Sequence, residues 1–71
     1  MIETQMLRAY MTLKGVTVKD LADAQSWSMS TAYRKITGKT NFTVPEVQIC
    51  KELLYLDSFT TNAIFFASDL S

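Results

Sequence analysis

The fold is decided by residues 17–38, TVKDLADAQSWSMSTAYRKITG, which predict two short helices with a break between them. The first helix is expected over residues 18–25. The Thr17 hydroxyl can accept a hydrogen bond from the amide of Asp20, whose negative charge suits the first turn of a helix. Residues 26–28, Ser-Trp-Ser, then interrupt the helical pattern. This arrangement predicts a pair of helices joined by a turn of about four residues.

The second helix of the pair begins at a serine and ends before Gly38, and its apolar residues form one stripe. Their i, i+3/i+4, i+7 spacing is typical of a helix with one buried side. Arg34 and Lys35 lie in the last turns, where the helix dipole favours positively charged side chains. The stripe is Met29, Ala32 or Tyr33, and Ile36, and the candidate N-caps are Ser28 and Ser30.

A further helix is predicted on each side of this pair. Residues 3–14 have amphipathic spacing and are followed by Gly15, a typical residue for a helix C-terminus. Residues 43–46, Thr-Val-Pro-Glu, form a capping box with Pro in the first turn. The helix that starts there is expected to continue to about Tyr55.

The last segment predicts a short fifth helix after a connector at residues 56–59, with Thr60 or Thr61 as its cap. Residues 67–71 are expected to be a frayed tail. We therefore expect residues 1–71 to form a single all-α domain, a compact bundle of about five short helices. Its core is predicted to consist of Leu7, Leu21, Ile36, Val47, Cys50 and Leu54.

Composition excludes several other classes of protein. The chain has 71 residues, of which 48% are hydrophobic, and its two Gly and one Pro argue against a turn-rich β fold. It has no His and one Cys, so histidine-dependent catalysis and multi-cysteine zinc sites are excluded. We expect a binding module, not an enzyme, with no metal, cofactor or small-molecule substrate. No apolar run reaches membrane-spanning length, so a cytoplasmic protein with no membrane partner is expected.

The charges are unevenly distributed although the net charge is zero. Residues 1–39 contain six Lys and Arg against three Asp and Glu, a balance of +3, and residues 40–71 contain one against four, a balance of −3. Such an asymmetry indicates a basic functional face in the first half, although a small chain can show it by chance.

Residues 15–56, GVTVKDLADAQSWSMSTAYRKITGKTNFTVPEVQICKELLYL, resemble a Cro/CI-type, lambda-repressor-like helix-turn-helix domain. More narrowly, the chain is similar to small Cro-like regulators or modulators of repression of phages and prophages of Gram-positive bacteria. The resemblance covers roughly residues 5–66. It is carried by Leu21-Ala22, Ser28, Tyr33 to Lys39, Phe42-Thr43, Glu46, Leu53 to Leu56 and Ile64 to Phe66. It implies that the second and third helices form the helix-turn-helix and that the third helix contacts DNA.

A helix that enters the major groove needs short polar and basic side chains on its outward face. Here Arg34 and Lys35 are expected to project opposite Met29 and Ile36. The alternative is an ordinary solvated face. The candidate DNA-binding residues are Ser28, Ser30, Thr31, Arg34 and Lys35 on the third helix, Lys39, Thr40 and Asn41 just after it, and Lys19 on the second helix.

Aromatic residues suggest a second surface, for a partner or a second copy of the chain. Trp27 lies in the turn before the third helix, where core packing and partner contact are both open. The C-terminal aromatic residues are too many for a helix of two turns to bury. The candidate interface residues are Trp27, Tyr55, Phe59, Phe65 and Phe66.

Two functions follow from the resemblance. The first is a Cro-like transcriptional regulator that binds double-stranded operator DNA in the lysis-lysogeny switch of a phage, as a homodimer, in the bacterial cytoplasm. The alternative is an antirepressor or modulator of repression, which keeps the fold and forms a heterodimer with a phage repressor. The low number of cations favours the alternative, because phosphate contacts require positive charge.

Overall fold

The computed structural model describes residues 2–66, which form five α-helices and, within that range, no strand. The all-α class and the five-helix order are confirmed. The expected frayed tail, residues 67–71, lies outside the described residues. The helices are α1 (Thr4–Lys14), α2 (Val18–Gln25), α3 (Met29–Ile36), α4 (Val44–Leu53) and α5 (Ser58–Phe65).

Polar side chains cap the starts of α2 to α5. Thr17 and Thr43 form complete capping boxes with Asp20 and Glu46, and Ser28 caps α3. The predicted start of α5 is wrong. The Asp57 carboxylate accepts a hydrogen bond from the Thr60 amide at 2.7 Å, so the cap lies three residues before Thr60 and the helix begins at Ser58. An aspartate in the assumed connector was the stronger capping signal.

The ends of α1 to α4 share one geometry. Each helix is followed by a residue with positive φ, and the amide after that residue donates to a carbonyl five positions earlier, as in the Schellman motif. Two of these residues are glycines, but the other two carry side chains that favour negative φ. The four are Gly15 (φ 71°), Ser26 (φ 60°), Gly38 (φ 83°) and Tyr55 (φ 54°).

The helices pack around one core. α2 contacts α3 and α4, while α1 contacts α3 and α5, and the Glu3 amide donates to the Ile64 carbonyl at 2.6 Å. All six predicted core residues are buried, and Met11, Leu56, Ile64 and Phe65 join them. Within residues 2–66, no helix has both the length and the apolar character needed to cross a bilayer.

The predicted inward stripe of α3 is partly wrong. Ala32 and Ile36 are buried, but Met29 is 43% exposed and Tyr33 is 50% exposed. A helix of two turns is too short for spacing to choose between two apolar patterns, one at residues 29, 33 and 36 and the other at residues 32 and 36. Packing against α2 selects the second pattern.

We expect Ser26→Gly to stabilise the fold by about 0.5–1 kcal/mol, because glycine adopts positive φ without a steric penalty. Ala24→Gly is the matched control. Ala24 is exposed inside the same helix, where glycine lowers stability by about 1 kcal/mol. Urea denaturation of both variants measures the two changes. A loss of stability in Ser26→Gly would contradict the left-handed backbone at this position.

Candidate nucleic-acid interface

The outward side of α3 carries four exposed side chains, which we call the α3 face: Met29, Ser30, Tyr33 and Arg34. Residues four apart are neighbours on a helix, so the face has two columns, Met29 with Tyr33 and Ser30 with Arg34. It combines one cation, one hydroxyl, one thioether and one phenol. Hydrogen bonding and apolar contact are therefore both available on the same surface.

Two of the predicted hydroxyl contacts, Ser28 and Thr31, bond to each other at the start of α3. The Ser28 Oγ accepts a hydrogen bond from the Thr31 amide at 3.2 Å and donates to the Thr31 Oγ1 at 3.1 Å. Thr31 is half-buried, whereas Ser30 between them is exposed. Ser28 and Thr31 thus stabilise the N-terminus of α3, and Ser30 presents an exposed hydroxyl beside them.

The loop after α3 brings three further predicted residues beside its last turn. The Arg34 carbonyl accepts hydrogen bonds from the amides of Lys39 at 2.9 Å and Thr40 at 3.2 Å. The side chains of Lys39, Thr40 and Asn41 are exposed. Arg34, Lys39 and Thr40 therefore lie together at the C-terminal end of α3, where two cations can face one ligand.

The expectation that Lys35 projects to the exposed side is wrong. Lys35 is 7% exposed, and its ammonium lies 2.8 Å from the Glu46 carboxylate. The ammonium also donates to the Asn41 carbonyl at 2.6 Å and lies 5.5 Å from the centre of the Trp27 ring. These contacts direct the cation into the α3–α4 junction, so it is not available to a ligand on the α3 face.

Glu46 is the acceptor that holds this junction together. Its carboxylate accepts hydrogen bonds from Lys35, from the Thr43 amide at 2.8 Å and from the Trp27 indole at 3.3 Å. Its backbone carbonyl accepts one from the side-chain amide (Nε2) of Gln25 at 2.8 Å. Burial alone would raise the pKa of Glu46, but the hydrogen bonds from Lys35 and Thr43 outweigh it and lower the pKa.

Lys19 lies apart from this cluster, in the first turn of α2. Its ammonium forms an exposed i, i+4 ion pair with Asp23 at 3.1 Å. An exposed pair of this kind contributes little to stability, so a phosphate can compete for the ammonium at small cost. Lys19 is accessible, but its charge is partly compensated.

The five candidate interface residues have different environments. Phe65 is buried, so it is not available to a partner as a candidate interface residue, and Phe66 is half-buried against the core. Trp27 packs edge-on against Phe42, with 5.6 Å between ring centres, and Phe42 packs against Phe65 in the same way at 4.9 Å. Two candidates remain on the surface: Tyr55, 84% exposed, and Phe59, 82% exposed.

Cys50 is a core residue, as its place on the apolar stripe of α4 predicts. Burial raises the pKa of its thiol to about 12, although a hydrogen bond from Gln25 opposes this shift. The thiol is therefore protonated at neutral pH. A protonated, fully buried thiol is not a nucleophile.

An open groove lies elsewhere, between the end of α1 and the start of α2. It measures about 360 Å³ and has a mainly apolar lining that includes Met11, Val16, Val18 and Ile36, with Arg8 also in its wall. None of the predicted DNA-binding residues lines it. The candidate site is thus a convex helix face, the shape that fits a groove in a macromolecule.

Sequence reasoning missed Met29 and Tyr33 as members of this face, because apolar residues on a short helix were assigned to the core. The available signal was the Ala32–Ile36 pair, a four-residue repeat that already provides the inward side of α3.

Comparisons with protein-family models, with curated proteins and with solved structures found no match to this chain.

We expect Lys35→Ala to destabilise the fold by about 2 kcal/mol, because it leaves the Glu46 carboxylate partly buried without its cation. Arg34→Ala, which removes an exposed cation from the neighbouring position, is the matched control and should change stability by at most about 0.5 kcal/mol. Thermal and urea denaturation measure both. Equal effects of the two substitutions would show that the Lys35–Glu46 pair does not hold α3 to α4.

Stability should also fall in acid. A carboxyl whose pKa is lower in the folded than in the unfolded state stabilises the fold at any pH above its unfolded-state pKa, which is 4.5 for Glu46. This stabilisation is lost as the pH falls through the folded-state pKa. The carboxyls of Asp20 and Asp57 have pKa values lowered by hydrogen bonds from Thr17 and Thr60, so they act in the same direction.

We therefore expect the urea midpoint of the wild type to drop between about pH 5 and pH 2. Glu46→Gln should be less stable at pH 7 and should show a shallower decline in acid. Glu52→Gln, which changes an exposed glutamate on the same helix, is the control and should follow the wild type. Parallel pH profiles for Glu46→Gln and the wild type would contradict the assigned role of this carboxylate.

Proposed function

We propose that the protein binds double-stranded DNA through α2, the turn and α3, with α3 in the major groove, and acts as a small Cro-like transcriptional regulator. In this proposal it is a binding protein and not an enzyme. The observation that supports it best is the α3 face together with its flank: Ser30 and Arg34 are exposed on the helix, and Lys39 and Thr40 are held beside its last turn.

The roles follow from the chemistry of these side chains. The Arg34 guanidinium can pair with a guanine edge, which gives about 1–3 kcal/mol of discrimination. Lys39 and Thr40 lie at the helix end, where a phosphate of the groove wall is the expected partner. Lys35 takes a supporting role, because it fixes α3 against α4 instead of contacting DNA.

A single α3 offers few cationic contacts, so we propose that two copies bind together on a pseudo-palindromic site. Tyr55 and Phe59 are the proposed dimer contacts. They lie four residues apart around the corner between α4 and α5, and each exposes more than four-fifths of its surface. Burying such aromatic side chains favours association.

A second function is favoured by the same exposed aromatic residues and by the burial of Lys35, which leaves the α3 face with one cation. In it, the protein is an antirepressor or modulator of repression that binds a phage repressor. Tyr, Phe, Met and Arg are enriched at protein interfaces, whereas affinity for DNA depends on neutralising phosphates.

DNA binding is tested by fluorescence anisotropy on duplexes selected from a randomised pool, as a function of salt. We expect affinity to fall steeply with salt, and the salt slope to decrease by about one unit in Arg34→Ala and in Lys39→Ala. Lys51→Ala is the matched control. It removes the same charge from α4, where Lys51 contacts Ser58, and should leave the slope unchanged.

Failure to select or bind any duplex at low salt would contradict the DNA-binding proposal. The second function then predicts that the protein binds the DNA-binding domain of a phage repressor. In that case Tyr55→Ser and Phe59→Ser should weaken the complex, whereas Lys14→Ala, which removes an exposed cation at the end of α1, should not. Sedimentation of the wild type and of the same two variants, without a partner, reports whether these residues also mediate self-association.

A further inference from the structure

The Met29–Tyr33 column of the α3 face has no structural task that explains it. The inward side of α3 is occupied by Ala32, Ile36 and the stem of Lys35, all of which are buried. Met29 and Tyr33 remain 43% and 50% exposed although the core is closed without them. Two large, partly apolar side chains thus stand one turn apart on the outward face of a short helix.

These two side chains occupy the part of α3 that reaches base edges. Met29 is the first residue of the helix, and Tyr33 follows one turn later. In helix-turn-helix proteins the N-terminal residues of the second helix contact the bases. Side chains on a helix also lean towards its N-terminus, so the Tyr33 ring covers the turn that contains Met29. In the proposed DNA complex, both residues would therefore face the same few base pairs.

The major groove offers one apolar feature to such a surface, the C5 methyl group of thymine. The polar column beside it, Ser30 and Arg34, carries the one cation of the α3 face, and Arg prefers guanine. A second cation that would broaden the contact is missing there because Lys35 is bound to Glu46.

We propose that Met29 and Tyr33 are specificity-determining residues that contact thymine methyl groups, next to a guanine contacted by Arg34. This inference rests on the proposed DNA-binding function and assigns the bases that the same site prefers. It predicts that duplexes selected from a randomised pool contain thymines beside a guanine in each half-site.

The test replaces each thymine of the selected duplex, one position at a time, by deoxyuridine. This change removes only the C5 methyl group and keeps base pairing. At each contacted position we expect the wild type to bind the deoxyuridine duplex about fourfold more weakly, the value for one buried methyl group. Met29→Ala and Tyr33→Ala should each lose this discrimination at their own thymine, whereas Tyr33→Phe should keep it.

The readout is a ratio of two affinities measured with the same protein, so a variant that is partly unfolded still reports it. Thr40→Ala, which alters the flank of α3, is the matched control and should keep the wild-type ratio at every position. The inference would be overturned if the selected sites lacked thymine, or if the protein bound thymine and deoxyuridine duplexes equally at all positions. Salt-dependent binding to those duplexes would still support the proposed function. Absence of binding to any duplex would overturn both.

Discussion

One largely buried ion pair joins α3 and its two flanking loops to the start of α4. The Lys35 ammonium and the Glu46 carboxylate meet at 2.8 Å with side chains that are 9% and 20% exposed. At that degree of burial a charge requires a partner and further hydrogen bonds, and both groups have them. Lys35 adds the Asn41 carbonyl, and Glu46 adds the Thr43 amide and the Trp27 indole. α3, the turn before it, the loop after it and the start of α4 are therefore fixed by one pair of charges.

This pair also determines the chemistry of the outward surface. It removes one of the two adjacent cations of α3 from contact with solvent, which leaves Arg34 with Met29, Ser30 and Tyr33. A surface with one cation and two large, partly apolar side chains gains less from phosphates and more from shape and apolar contact. The proposed pairing of two copies offsets the low charge, because it doubles the number of contacts without changing the α3 face.

Short helices reach this arrangement because both of their ends are specified. Polar caps start α2 to α5, and residues with positive φ end α1 to α4. The left-handed residue after α2, Ser26, reverses the chain within a few residues, so that Trp27 packs against Phe42 and Ser28 is in place to cap α3. Ser26 and Tyr55 adopt a left-handed backbone conformation that raises the energy of any residue other than glycine. The packing of the neighbouring residues offsets this strain.

The amino-acid sequence alone was enough to predict the five helices, the caps at Thr17 and Thr43, and the six residues at the centre of the core, whereas it left Ser28 and Ser30 open as the cap of α3. These features depend on local hydrogen bonds and on apolar spacing, both of which can be recognised over a few residues. The cap of α5, Asp57, is also a local feature, but the sequence analysis placed the cap at Thr60 or Thr61 instead. Tertiary structure alone decided which side of α3 faces inward, because two turns of helix fit two apolar patterns equally well. It also decided that Lys35 is buried and Met29 exposed. The position of a long charged side chain depends on a partner eleven residues away, and that partner, Glu46, is brought into reach only when α4 packs against α2.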